Sequence, residues 1–180
     1  ENVYLSHNHK DHTGGLMNLK KNFPNSFSVA HVGEGIFYSR PSSKADKNYI
    51  LLSKEKIKDM GVNFVSYKNA TQIFPGVWTT GQVPRKYDEK NWSRLGEIVN
   101  PLGEMEEDTI PEDQSLFFDT EDGIVMVSGC GHAGIVNTID YIKKTIPNRP
   151  ISKVIGGFHL LKLSDKKLEW TANKMLEYGV

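Results

Sequence analysis

The 180-residue chain has one cysteine, no long apolar run and no net charge. Each shortage excludes something. A single cysteine rules out an internal disulfide framework and suits a reducing compartment, so a cytoplasmic location is expected. The longest apolar stretches, such as Gly123 to Val127, are far too short to cross a bilayer, so no membrane partner is expected. The 22 Lys+Arg against 22 Asp+Glu leave no basic footprint, which argues against a nucleic-acid partner. No internal repeat, low-complexity tract or signal peptide is visible. The first residue is Glu1, inside what reads as a strand, so the gene product is expected to start earlier. What remains is 38% apolar and 24% charged, an ordinary globular balance. At this length the expectation is one domain over residues 1–180 with a sizeable core.

Strand-like and helix-like segments alternate along the chain. Val3 to Leu5 reads as a short strand, followed by a polar, histidine-rich loop from His7 to Thr13. Leu16 to Phe23 is amphipathic and stops at Pro24, and Phe27 to Val32 alternates like a strand. Ser39 to Asn48 carries Arg40, Pro41, Lys44 and Lys47 and reads as a solvated loop, with an anion site as the alternative. Ser53 can cap a helix that Gly61 ends. Val62 to Tyr67 and Gly76 to Thr80 read as strands. From Gln82 to Asp113 periodicity disappears, leaving a long loop with an acidic run, Glu104 to Asp108, read as solvated. A loop of that length in a compact domain is a candidate lid. Ser115 to Phe118 and Ile124 to Ser128 flank the hairpin signal Asp122-Gly123. Ile135, Ile139, Ile142 and Ile146 share a helical face, and Val154-Ile155 reads as a buried strand. Ser164 caps a last helix with Leu168, Ala172, Met175 and Leu176 on one face. The order predicts an α/β (α+β) protein, sheets covered by helices.

The chemistry is concentrated in Ser6-His7-Asn8-His9-Lys10-Asp11-His12-Thr13-Gly14-Gly15, three imidazoles and a carboxylate within six residues. In an extended segment His7 and His9 point to the same side, because strands have period two, and can share one ion. Asp11 and His12 lie past the bend and can turn towards a second. Imidazole with carboxylate suits zinc, and also iron or manganese. Gly14 and Gly15 allow a tight turn and a close backbone approach. The alternative is a surface histidine cluster with no metal. Two further histidines stand beside glycines after strand-like runs, His132 in Gly129-Cys130-Gly131-His132 and His159 in Gly156-Gly157-Phe158-His159. His132 could instead make a structural hydrogen bond at a helix start, and His159 has apolar neighbours in Phe158 and Leu160. Cys130 could be a small buried hydrophobe, a thiolate ligand or a neighbour of the metals. His31 alternates within an apolar strand and reads as structural.

On these residues the chain resembles a family. SHNHKDHTGG is similar to the metal-binding signature of the metallo-β-lactamase fold hydrolases. GCGHAGIVNT, GGFHL and TTGQVPR resemble the branch of metal-dependent hydrolases called β-lactamase superfamily II. Members of that branch are often named as 7,8-dihydropterin-6-yl-methyl-4-(β-D-ribofuranosyl)aminobenzene 5′-phosphate synthases, in methanopterin-type cofactor synthesis. The resemblance implies an αββα sandwich, here incomplete at both ends. It implies two divalent ions, with His7 and His9 on one and Asp11 and His12 on the other. His132 and His159 match histidines that recur in the branch. The usual third-motif histidine is not evident in its region, Thr79 to Arg85, nor is the usual bridging aspartate, near whose place Cys130 falls. Both departures argue against ordinary β-lactam or thioester hydrolysis.

The expected activity is metal-dependent hydrolysis of a small phosphorylated or ester-type metabolite by a water activated between two ions. Asp11 would hold an ion and orient the nucleophile or accept its proton. Arg85 would meet an anionic substrate group, or else be a solvated charge. The alternatives are the synthase-type transfer, with Arg40, Lys44 and Arg85 as phosphate-binding guesses, and a metal-binding module without turnover.

Overall fold

The computed structural model describes residues 1–41, 48–89, 96–161 and 163–180. Lys44 and Lys47 therefore lie outside the described residues, as does part of the long segment after Gln82. In chain order the elements are β1 (Asn2–Tyr4), α1 (Lys10–Thr13), α2 (Leu16–Asn22), β2 (Val29–Gly33), α3 (Tyr49–Asp59), β3 (Asn63–Tyr67), β4 (Thr71–Phe74), β5 (Val77–Thr79), β6 (Glu97–Val99), β7 (Met105–Glu107), β8 (Ser115–Thr120), β9 (Gly123–Ser128), α4 (Ile135–Thr145), β10 (Ile151–Gly156) and α5 (Asp165–Glu177). They fall into two compact units, residues 1–68 with 92–112 and residues 69–91 with 113–180. Among the described residues no helix is long and apolar enough to cross a membrane.

The first unit is a parallel sheet in the order β1-β2-β3. Parallel neighbours need crossover connections, which α2 and α3 supply. The core is Leu5, Leu16, Phe27, Ala30, Val32, Ile36, Ile50, Ile57 and Val62. Helix α3 turns Ile50, Ser53 and Ile57 inward, and its N-cap is Asn48, whose Oδ1 accepts from Leu51 N at 3.1 Å. Ser53 is thus an interior residue of the helix, not its cap. Asn48 wins because its Nδ2 also donates to the Ile36 and Tyr38 carbonyls, anchoring the cap to the preceding turn. His31 is buried on β2, with Tyr67 Oη 2.8 Å from Nδ1 and Asn2 Oδ1 3.0 Å from Nε2. Desolvation lowers its pKa, in keeping with the structural reading.

The long segment after Gln82 is not structureless. Strands β6 and β7 pair as an antiparallel ribbon, and Ser39 bridges to Val99. Asp108 is buried rather than solvated, because Arg40 donates to it from Nε at 2.6 Å. Arg40 is accordingly no open phosphate-binding group: its side chain is 3% exposed and bonded to Asp108 and Glu112.

The second unit is a mixed sheet in the order β10-β9-β8-β5-β4. Strands β8 and β9 form the expected hairpin, with Thr120 opposite Gly123. Strand β10 runs parallel to β9, and α4 connects them. Ile135, Ile139 and Ile142 are fully buried with Phe117, Ile124 and Met126. The expectation of a buried Val154-Ile155 fails at Ile155, which is 54% exposed on an edge strand. Helix α5 is capped by Ser164 as expected, but it faces the core with Trp170, Thr171, Met175 and Tyr178. Leu168 and Leu176 face outward. The aromatic pair bury more apolar area than the leucines, and Tyr178 also gains polar partners.

Those partners converge on Asp140 of α4. Lys86 and Tyr178 reach its Oδ1 at 2.9 and 2.7 Å, and Lys144 reaches Oδ2 at 2.6 Å. Burial alone would raise the Asp140 pKa, but the hydrogen bonds from Lys144, Tyr178 and Lys86 outweigh it and bring it from 3.8 down to about 2. A depressed carboxylate pKa contributes stability above its unfolded value, lost as pH falls through the folded one. Asp140→Asn is expected to cost about 1–2 kcal/mol at pH 7, allowing for screening of the exposed lysine heads. The difference should shrink between about pH 4 and pH 2, as read by urea unfolding of both proteins across that range.

Candidate metal centre

The first histidine group grows out of the end of β1. Leu5 N still donates to the His31 carbonyl at 3.0 Å, and the chain stays extended to His9, whose φ and ψ are −56° and 143°. The period-two argument then holds. The His7 and His9 rings meet edge to face with centroids 4.6 Å apart. The backbone turns into α1, which the sequence alone left as loop. That turn brings the His12 ring to 4.3 Å from His7. His7 is fully buried, and His12 is partly exposed.

Three local contacts set this geometry. Thr13 Oγ1 is within reach of the Asn8 and His9 carbonyls, at 3.1 and 3.0 Å, and so closes the turn. A Cβ on Gly14 would lie 2.6 Å from the Lys10 carbonyl oxygen, so this glycine permits the close approach. Gly15 has no such contact. Ser6 Oγ lies 3.0 Å from His7 Nδ1. If that nitrogen carries the proton and donates to Ser6, Nε2 is the ligating atom. Asp11 is the outlying member. Its carboxylate is 79% exposed and its Oδ2 stands 3.6 Å from His12 Nε2.

The second group lies in the second unit. Adjacent parallel strands β9 and β10 end in register, Ser128 opposite Gly156, so their following loops leave from one edge of the sheet. Ser128 Oγ ties them by donating to the Gly157 carbonyl at 2.9 Å. Cys130, His132 and His159 each offer a donor atom, all within 4.8 Å of one another. The His132 and His159 rings are 4.4 Å apart. His132 is buried, Cys130 half-buried and His159 exposed. His159 has φ +47°, a conformation uncommon outside glycine that recurs at functional sites.

The His132 loop is held from three sides. Arg85 donates from Nη1 to the His132 carbonyl, and Asp113 Oδ2 accepts from Ala133 N at 2.8 Å. Glu89 accepts from Val136 N at 3.1 Å and Asn137 N at 2.7 Å, capping the start of α4. Burial raises the Glu89 pKa, and those two amides oppose the rise. Nothing in the sequence marks Glu89, Glu112 and Asp113 as part of the site. Their contacts span tens of residues, 47 between Glu89 and Val136, and no local spacing announces them.

The donors suit a metal. Neutral imidazoles with a carboxylate or thiolate are ligands for zinc, iron or manganese. Two ligands on one zinc lie within about 4.6 Å of each other, twice a bond of about 2.0–2.3 Å, close to the span in the second group. If Ser6 orients His7 as argued, Ser6→Ala should weaken zinc binding about tenfold or more while the far-UV circular dichroism stays unchanged. A competition titration against a chromophoric chelator measures this. Unchanged affinity would contradict the assignment.

No protein-family model matches the chain. Two curated proteins of Methanocaldococcus jannaschii are similar to it. One, named 7,8-dihydropterin-6-methyl-4-(beta-D-ribofuranosyl)-aminobenzene-5'-phosphate synthase, is 30% identical over 99% of this chain and 62% of its own length. The other, uncharacterized protein MJ0448, is 30% identical over 98% of this chain and 62% of its own length. In structure, the chain matches Tm1679, a metal-dependent hydrolase of the beta-lactamase superfamily, with TM-score 0.79 and 26% identity over 99% of this chain and 64% of that one. The chain thus spans a little under two thirds of the length of these relatives. Over that span it has the metallo-β-lactamase fold, and it stands in structure beside the metal-dependent hydrolases of that superfamily.

Proposed function

We propose that the protein is a metal-dependent hydrolase acting on a small phosphorylated or ester-type metabolite. The observation that carries this reading is the gathering of His7, His9 and His12 by one strand end and one short helix, on a fold shared with such hydrolases. His7, His9, Asp11 and His12 are the proposed ligands of two divalent ions, most simply zinc, with His132 and His159 as further ligands and Cys130 beside them. Such ions acidify water and polarise a carbonyl or phosphoryl oxygen. Asp11, exposed beside His12, is the proposed group that orients the attacking water or accepts its proton. Arg85, held at the His132 carbonyl, is the cation proposed to meet an anionic group of the substrate. The single cysteine fits a cytoplasmic setting, and neither nucleic acid nor membrane is a proposed partner.

A second reading is favoured by the 30% identity to the named synthase over nearly all of this chain. In it the same groups would serve the transfer of a dihydropterin-6-methyl unit from its diphosphate to a ribofuranosylaminobenzene 5′-phosphate, with diphosphate as the leaving group. Arg85 would then meet the phosphate.

The test is metal content by plasma emission spectroscopy, paired with turnover on phosphoester and lactone panels. About two equivalents of metal are expected in the wild type, lost with hydrolysis in His7→Ala/His9→Ala. Hydrolysis that survives in that variant would contradict the mechanism. Metal binding with no hydrolysis, but with formation of the pterin–aminobenzene product from an activated dihydropterin, would select the second reading. Metal binding without either would leave a binding module.

A further inference from the structure

We propose that Glu112 and Asp113 are positioning residues, consecutive carboxylates that each clamp the backbone of one histidine loop. Glu112 does so for the His7–His9 loop and Asp113 for the His132 loop. The inference rests on the metal-site reading above.

Glu112 Oε1 accepts the backbone N–H of Asn8 at 3.2 Å, and Asn8 is the residue between His7 and His9. Fixing that amide fixes the His7–Asn8 peptide, which carries the His7 Cα and leads directly into His9. The Glu112 side chain is fully buried, so it is held from all sides. Arg40 Nη2 donates to both of its oxygens, at 3.0 and 2.9 Å. Arg40 is in turn held by Asp108 through Nε at 2.6 Å and Nη2 at 3.2 Å.

The backbone at Glu112 is equally confined. A Cβ on Gly33, at the end of β2, would lie 2.1 Å from the Glu112 carbonyl oxygen, so only glycine lets that peptide pass. Two residues earlier, Ile110 is buried with φ +55°, a strained conformation for a β-branched residue. Its N–H donates to Asp108 Oδ1 at 2.9 Å. A strained, over-determined segment that ends in a carboxylate on a ligand loop has the form of a preorganised support. Within the other unit, Asp113 is 2% exposed, and its Oδ2 accepts from Ala133 N, next to His132.

The alternative is that these carboxylates only stabilise the fold. Asp140→Asn separates the two roles. It weakens the ion pairs that α4 makes with Lys86 and within itself with Lys144, and it touches neither the Glu112–Asn8 nor the Asp113–Ala133 contact. The measurements are cobalt(II) affinity and the visible spectrum of bound cobalt, beside urea unfolding of the metal-free protein. Glu112→Ala and Asp113→Ala are expected to weaken cobalt binding about 10- to 100-fold and to alter the spectrum. Glu112→Gln, which keeps an acceptor for Asn8 N, should recover most of the affinity. Asp140→Asn should lower the urea midpoint with wild-type affinity and spectrum. If Glu112→Ala does not fold, Asp113→Ala and Glu112→Gln still carry the test. Wild-type cobalt affinity and spectrum in folded Glu112→Ala or Asp113→Ala would overturn the positioning role alone. Affinity falling in step with stability across all the variants, Asp140→Asn included, would also overturn it. A wild type that binds no cobalt would overturn the metal-site reading, and this inference with it.

Discussion

A guanidinium with 3% of its side chain exposed is a costly thing to bury. Taking such a charge from water costs on the order of several kcal/mol, recovered only where carboxylates and hydrogen bonds meet it in good geometry. Arg40 meets two, Asp108 and Glu112, with four contacts between their oxygens and its Nε and Nη2 at 2.6 to 3.2 Å. Burial alone would lower its pKa, but the carboxylates outweigh that and raise it, so it stays charged. The constraint reaches further than one pair. It places the Asp108–Glu112 stretch, and through Glu112 it reaches the amide between two of the three clustered histidines. Removing one partner would leave buried charge uncompensated.

The second unit reaches its histidines by a different route. Parallel pairing of β9 and β10 delivers two loops at one sheet edge. Backbone groups of the loops are then bonded individually, by Ser128, Arg85, Asp113 and Glu89. Loops that carry function must be placed by a rigid scaffold, and here hydrogen-bonded carboxylates and strand ends do the placing. The Asp140 network secures the same helix farther along, joining α4 to α5 and to Lys86.

The parts legible in the sequence were those with local causes. The hairpin at Asp122-Gly123, the isoleucine face of α4 and the common side of His7 and His9 follow from periods of 2 and 3.6 and from turn chemistry. Strands β6 and β7 have three residues each, too few to show alternation. Strand β4 has four residues and is mostly exposed, so only the turn signal Pro75-Gly76 after it marks it in the sequence. Arg40 and Asp108 looked like solvated charges because their partners lie far along the chain, 68 residues apart. On α5 the expected Met175 packs on the core, but Leu168 and Leu176 do not, because Trp170 and Tyr178 decide which side packs. At the site itself, residue types and spacing pointed to His7, His9, His12, His132 and His159, and the structure brings them into two groups. The carboxylates that hold those groups have no local signature.

The central claim is that the clustered imidazoles hold a divalent metal. X-ray absorption at the zinc edge of the zinc-loaded protein tests it most directly. The account predicts a first shell dominated by nitrogen and oxygen at about 2.0–2.1 Å, with the outer-shell scattering of several imidazoles. A shell of water oxygens without imidazole scattering, or one dominated by sulfur at about 2.3 Å, would contradict it.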